Sequence, residues 1–500
     1  MKGYRNYIAY AFIMTVSVIG LLIVIRIFPA FSVAGMKLKR ADIISDVLKE
    51  NPFPEDNNIL VIPLNEGMND SLLMADMEIE NELQQDSSEK EIPIFEEERE
   101  AVFASDEEGP VLRIEDYSED GKALMKFADA LKGKGQNPVR IAVMGDSFME
   151  GDILSADLRE YLQGALGGKG VGFVPVTSIV SRLRQTVKHD FEGWNTYSIK
   201  QANNDSIDNK FTIGGYVYVP ESDDATVKYK VSGAKKHLKG VSKASFFFIN
   251  GGNTIVHAVV NDSSLLTFRP ETSPELQRIV IDGQGVIESL SFSFENTEGF
   301  YAYGVMLDGK DGVSVDNYAD RGSSGLQFYK LKQPINNQYN KYADYNLIIL
   351  EYGLNIVSQG IYTYDAYERQ MANIVEKIKL YYPDASIVIM GVSDRSYKEN
   401  GEYRTMPEIK GMIRAQRRIA QRCKVAYWDT FSAMGGENSM VRFVEKRWAA
   451  KDYTHISSAG ARVIAKELAR TLLYETEILS LFTSEEEGML MGDSVVQREF

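Results

Sequence analysis

Residues 139–152 read VRIAVMGDSFMEGD, a short β-branched and apolar run that stops at Gly145-Asp146-Ser147. A run of this kind reads as a strand buried in a parallel sheet. A helical stretch follows at Ile153–Leu166, so the unit is strand, loop, helix, the opening of an α/β sheet. A serine directly after such a strand has its hydroxyl at the carboxyl edge of the sheet, where open α/β folds bind ligands.

Upstream, Leu124, Phe127 and Leu131 repeat at i, i+3, i+7 and place a helix over Ser118–Lys132. Downstream the pattern changes. From Asp190 to Tyr303 short β-branched and aromatic runs recur at Tyr216–Val219, Thr226–Val231, Ser245–Ile249, Thr254–Val260, Gln277–Ile281 and Ser289–Phe294. Turn clusters such as Asn250-Gly251-Gly252-Asn253 separate them, the spacing of a β-sandwich. Alternation of strand and helix then resumes: strands at Val313–Asp316, Leu347–Tyr352 and Ile387–Gly391, helices at Tyr364–Leu380, Glu408–Arg422 and Ala459–Leu473. The expected organisation is one α/β domain (111–189 and 304–475) interrupted by a sandwich (190–303), with a loosely held acidic tail at 476–500.

The 500 residues carry 55 Lys+Arg against 71 Asp+Glu, a net charge of -16, which repels a phosphate backbone and argues against a nucleic-acid partner. From Asp76 to Glu108 there are 14 acidic and 2 basic residues, so most of that charge belongs to one aperiodic segment. It reads as a solvated stalk over 29–110. One cysteine, Cys423, rules out an internal disulfide, and with four histidines it leaves few soft ligands; no metal or cofactor is expected. Residues 1–28 hold the uncharged segment IAYAFIMTVSVIGLLIVI, Ile8–Ile25, long enough as a helix to span about 30 Å of hydrocarbon. It exceeds a secretory h-region, so an uncleaved single-pass anchor is expected. Flanking charge does not orient it, since Lys2 and Arg5 precede it and Arg26, Lys37, Lys39 and Arg40 follow.

A nucleophilic serine needs a base, a group to hold that base, and donors for the developing oxyanion. Candidates for each are spread along the chain. Ser147 lies in GDSFMEGD, Gly322 in DNYADRGSSG after a strand, and Asn355 in LEYGLN after another. His455 lies in DYTHISSAG, three residues after Asp452 and just before the last helix.

In that order these blocks resemble the four signatures of the SGNH (GDSL-type) hydrolase superfamily, over roughly Ser118 to Leu473. The resemblance implies a flavodoxin-like, three-layer α/β fold. It also implies Ser147 as nucleophile, His455 as general base and Asp452 as its orienting carboxylate. The oxyanion donors would be the backbone N–H groups of Ser147 and Gly322 and the Asn355 amide. Gly325 competes with Gly322 for that role. Ile356 stands where an acidic residue often follows the Asn. GDSFMEGDILSADLREYLQ, GKGVGFVPV, RGSSGLQ, DTFSAMGG and DYTHISSAGA are similar to the bacterial peptidoglycan O-acetylesterase and O-acetyltransferase branch, which carries an inserted sandwich. That likeness implies a membrane-anchored esterase acting outside the cytoplasmic membrane (periplasmic) on an O-acetylated glycan. An O-acetyltransferase served by a membrane-bound acyl-transfer partner and a non-catalytic glycan-binding protein are the alternatives.

Other residues read as structural. Asp146 is expected to stabilise its loop, and His189, His237 and His257 to lie on polar loops or the sandwich surface. Trp194, Tyr216 and Tyr218 read first as strand aromatics of the core, with sugar stacking as the alternative.

Overall fold

In the computed structural model, the side chains of the Val139–Gly145 strand alternate between two cores. Ile141 and Val143 join the cluster formed with helices Met125–Gly133, Ser155–Leu166 and the start of Ser458–Val496. Ala142 and Met144 join the cluster beneath Gln333–Ala343, Asp365–Tyr381 and Glu408–Cys423. A strand covered on both faces has no place for polar residues except at its ends, which accounts for its composition. The structure describes residues 110–133, 138–201 and 207–496, with side chains to Glu477, and a ladder of Ser32–Val33 with Met36–Lys37. The chain divides into two compact units, Met1–Ile59 and Leu60–Phe500, and the α/β and sandwich layers belong to the second.

Five parallel strands lie in the order Val313–Asn317, Val139–Gly145, Tyr345–Glu351, Ser386–Met390 and Ala426–Trp428, with Glu115–Asp116 antiparallel at the far edge. Numbered along the chain, the parallel strands run 2-1-3-4-5. This is the flavodoxin-like winding, whose crevice opens beside the first and third strands. With helices on both faces, the α/β expectation holds. The Ala426–Trp428 strand and the Gln333–Ala343 helix were not expected: one is three residues long, the other is rich in Asn and Gln. The last helix runs to Val496, past the expected end at Leu473 and through the acidic tail, which holds no proline to stop it.

Between the first and second parallel strands the chain forms two antiparallel sheets around one apolar cluster. One holds Ser273–Asp282, Lys243–Asn250, Phe300–Asp308, Tyr216–Pro220 and Trp194–Ser198. The other holds Ser264–Phe268, Ile255–Val260, Ser289–Glu295, Thr226–Val231 and Val187–Glu192. With Gly170–Pro175, the sixth strand of the first sheet, the strands run from Gly170 to Asp308 and reach beyond 190–303. His189 corrects an expectation: it is buried, its Nε2 2.9 Å from the Val176 carbonyl and its ring stacked on Tyr229. It alternates in phase with the inward Val187. His237 faces Glu160, and His257 lies between Thr267 and Glu295. Trp194 packs edge-on against Phe294, and Tyr218 is buried.

The two layers are joined where Gly170–Pro175 pairs with Phe300–Asp308. Gly172, at φ 66°, passes so close to the Val315 carbonyl that a Cβ would lie 2.5 Å from its oxygen. Beside this junction Arg140 reaches Asp308 at 2.6 Å and Asp316 at 3.0 Å, all three buried. The segment Ile8–Ile25, expected to be an anchor, and the acidic run Asp76–Glu108 lie outside the described residues. Among the described residues no helix is long and apolar enough to cross a membrane.

Removing the cation would leave two buried carboxylates without their partner. Arg140→Ala is therefore expected to destabilise the folded chain by about 3–5 kcal/mol in urea unfolding. A change of under ~1 kcal/mol would show that the junction does not depend on this cluster.

Candidate active site

Ser147 follows the first parallel strand and is half-buried. The turn that carries it is fixed by its neighbours. Asp146 Oδ1 accepts the Phe148 N–H at 2.9 Å, and the Asp146 carbonyl accepts the Met149 and Glu150 N–H groups at 3.2 Å. Glu150, Gly151 and Asp152 form a short 3-10 turn in which Asp152 is clamped by Arg159 and Arg184. Burial opposes ionisation of Asp152, but the two guanidiniums and Thr186 outweigh it and hold the carboxyl well below the usual range.

His455 enters the same region from the loop before the last helix. Its Nδ1 lies 2.6 Å from Asp452 Oδ2, while Asp452 Oδ1 accepts the N–H groups of Thr454 and His455 at 2.9 and 3.1 Å. Burial works against the Asp452 charge. The hydrogen bond and charge of His455, with the two backbone donors, overcome that and leave its pKa below the ordinary carboxylate value. The loop bends at Tyr453, φ 57°, whose ring stacks on Tyr403 at 3.6 Å and whose carbonyl accepts the Ser396 N–H at 3.0 Å. The hairpin Ser396–Glu399 and Glu402–Thr405 thus props the loop that carries Asp452 and His455. Ser147 and His455 line one cavity of about 160 Å³, together with Glu150, Arg321, Gly151 and Lys235.

Gly322 and Asn355 come to the same edge. The loop bearing Gly322 is tied to the serine turn by a buried ion pair, Arg321 Nε to Glu150 Oε2 at 2.6 Å, and by the Arg321 N–H to Glu150 Oε1 at 3.2 Å. Burial, opposed by Arg321 and aided by Asp320, pushes Glu150 up to about 7. Among the described residues the N–H groups of Ser147 and Gly322 have no protein acceptor. Gly325 differs: its N–H is directed to Ser323 Oγ at 3.3 Å, and at φ 81° it lies against the Tyr352 ring. The Asn355 amide contacts Asp146 Oδ2 at 2.7 Å and the Ser323 carbonyl at 3.0 Å, so both its hydrogens face protein acceptors.

Several neighbours of the site were missed from sequence. Lys200, between two sandwich strands, reaches Asp320 Oδ2 at 2.6 Å and the Arg321 carbonyl at 2.7 Å, and the Tyr216 hydroxyl donates to Asp320 at 2.8 Å. The sandwich therefore buttresses the Gly322 loop. Glu351 ends the third parallel strand and is buried against Asp146. A charged residue closing the apolar run Leu347–Leu350 was the available signal. Among the described residues no cluster of His, Cys, Asp or Glu is placed to hold a metal ion.

A Cβ at position 325 would lie 2.8 Å from the Tyr352 ring in a backbone conformation that disfavours side chains. Gly325→Ala is thus expected to cost about 1–3 kcal/mol of stability in denaturant unfolding. An unchanged midpoint would contradict this packing role.

No family model matches the sequence, and no curated protein does. Solved structures do. A peptidoglycan O-acetylesterase superposes with a TM-score of 0.58 at 22% identity, covering 73% of this chain and 99% of that one. A family two carbohydrate esterase from Cellvibrio japonicus (9% identity, 61% and 98% covered) and an acetylxylan esterase from Geobacillus stearothermophilus (18%, 32% and 73%) match with TM-scores of 0.25, too low to carry an argument. With the 2-1-3-4-5 sheet and the four blocks gathered at its carboxyl edge, the chain has the SGNH hydrolase fold.

Proposed function

We propose that the chain is a serine esterase that removes O-acetyl groups from a glycan through an acyl-enzyme on Ser147. The observation that carries this reading is that Ser147 and His455, the latter held by Asp452, line one cavity, although 308 positions separate them. With Nδ1 on Asp452, Nε2 is the nitrogen that takes the Ser147 proton as Oγ attacks the ester carbonyl. The negative charge forming on the carbonyl oxygen is met by the Ser147 and Gly322 N–H groups. Asn355 adds a third donor when its hydrogen leaves the Ser323 carbonyl. Collapse breaks the bond to the sugar oxygen, which leaves with the proton held by His455. Water then attacks the acyl-enzyme by the reverse proton path, releasing acetate and Ser147. The acetyl group and the glycan are supported by the likeness to the peptidoglycan O-acetylesterase. The cavity beside the serine accommodates a short acyl group.

Ser147→Ala and His455→Ala are each expected to reduce hydrolysis of a chromogenic acetate ester by at least ~10³-fold, since such groups act as a unit. Asn355→Ala should lower kcat by ~10²–10³-fold with little change in KM, the loss of one oxyanion donor. A folded Ser147→Ala protein with near wild-type rate would refute the nucleophile. A destabilised but fully active Asn355→Ala protein would remove that residue from the chemistry.

The reading includes a place of action: anchored by Ile8–Ile25 in a bacterial cell membrane, with the catalytic domain outside it. Protease added to intact spheroplasts should digest the domain. Protection until lysis would put the domain in the cytoplasm and remove an envelope glycan as substrate.

A further inference from the structure

Directly beneath the serine turn lie two buried carboxyls, Asp146 and Glu351, each 1% exposed. Among the described residues neither makes a salt bridge. The Asp146 N–H donates to Glu351 Oε2 at 3.2 Å, which brings the two residues together at the ends of neighbouring strands. The approach is close enough that a Cβ on Gly145 would lie 2.9 Å from that same oxygen. Two carboxylates buried side by side disfavour each other's charge, which favours one proton held by the pair. Asp146 meanwhile connects two parts of the site. One oxygen accepts the Phe148 N–H of the serine turn, the other the Asn355 amide at 2.7 Å.

We propose that Glu351 is a positioning residue: its carboxyl donates the shared proton to Asp146, and the pair fixes the Ser147 turn and the Asn355 amide relative to each other. The proposal rests on the esterase reading for its kinetic consequence, but not for its structural one. Glu351 ends a strand paired on both sides, so the constraint comes from the sheet itself, in a chain whose third block has Ile356 after the Asn. Burial and the facing Asp146 charge raise Glu351 above the ordinary carboxylate range. The other ionisable groups whose charges bear on the pair are His455 and Lys200, on the Asp146 side, and the phenols of Tyr352 and Tyr367. Since the folded pKa of Glu351 is the higher one, its contribution to stability is complete below the unfolded value. That contribution is lost as pH rises through the folded pKa.

The test uses the full chain and two variants. Glu351→Gln keeps an acceptor and a neutral donor in place, so kcat for a chromogenic acetate ester should stay within ~3-fold of wild type at neutral pH. Its kcat should also escape any fall that the wild type shows at alkaline pH. Glu351→Ala removes the donor and should lower kcat by ~10²-fold with KM retained, the scale of a small misplacement of reacting groups. An Ala variant that is less stable but turns over at the wild-type rate would overturn the positioning role. The unfolding midpoint from about pH 5 to about pH 8 is read without substrate: the gain of Glu351→Gln over wild type should widen as pH rises. A constant gap would overturn the shared proton. If the wild type hydrolyses no ester at all, the esterase reading fails, and the midpoint series still decides the carboxyl pair.

Discussion

A parallel sheet covered by helices on both faces leaves its strands only one place for polar chemistry, the loops at their ends. Every group of the site obeys that constraint. Ser147 follows the first strand, Gly322 the second and Asn355 the third, while Asp452 and His455 arrive in the loop before the helix that closes the layer. The 2-1-3 order sets the first strand between the other two, so three loops distant in sequence converge beside one crevice. The acids Asp146 and Glu351 are also placed by this rule. They stand buried where the apolar strands end, the setting in which two carboxyls favour one shared proton.

The sandwich belongs to the site as well as to the fold. Lys200 and Tyr216 hold Asp320 and the Arg321 carbonyl, and Arg321 in turn is held by Glu150 from the serine turn. The backbone around Gly322 is therefore fixed from both sides, by the α/β layer and by the sandwich layer. Arg140, with Asp308 and Asp316, locks those layers together at the opposite end of the first strand. Such buried charges are strongly destabilising to break, because each would leave an uncompensated partner behind. Preorganised donors of this kind are what oxyanion stabilisation requires, since they need not reorient as charge develops.

The α/β layer and the block order were legible because buried strands and helix periodicity are local signals, as in VRIAVM and Ile153–Leu166. Each of the six expected sandwich runs is a strand for the same reason. What was not legible depends on pairing over long separations: Glu150 with Arg321, Lys200 with Asp320, Asp146 with Glu351. No spacing rule identifies those partners before the chain is folded. The polar helix Gln333–Ala343 gave no apolar stripe, and the three-residue strand Ala426–Trp428 was too short to register. His189 could have been read correctly, because its alternation with Val187 points it inward, but the polar residues beside it suggested a surface. Nor did any spacing rule show that Ser323 Oγ engages the N–H of Gly325, the alternative to Gly322.

The central claim is that Ser147 carries the acyl group between the two half-reactions. Rapid quenching of the enzyme during turnover of an acetate ester, followed by peptide mass spectrometry, tests it directly. The account predicts one added acetyl group on the peptide containing Ser147, formed within the dead time and lost as substrate is exhausted. Continuous turnover with no acetyl group on that peptide would contradict it.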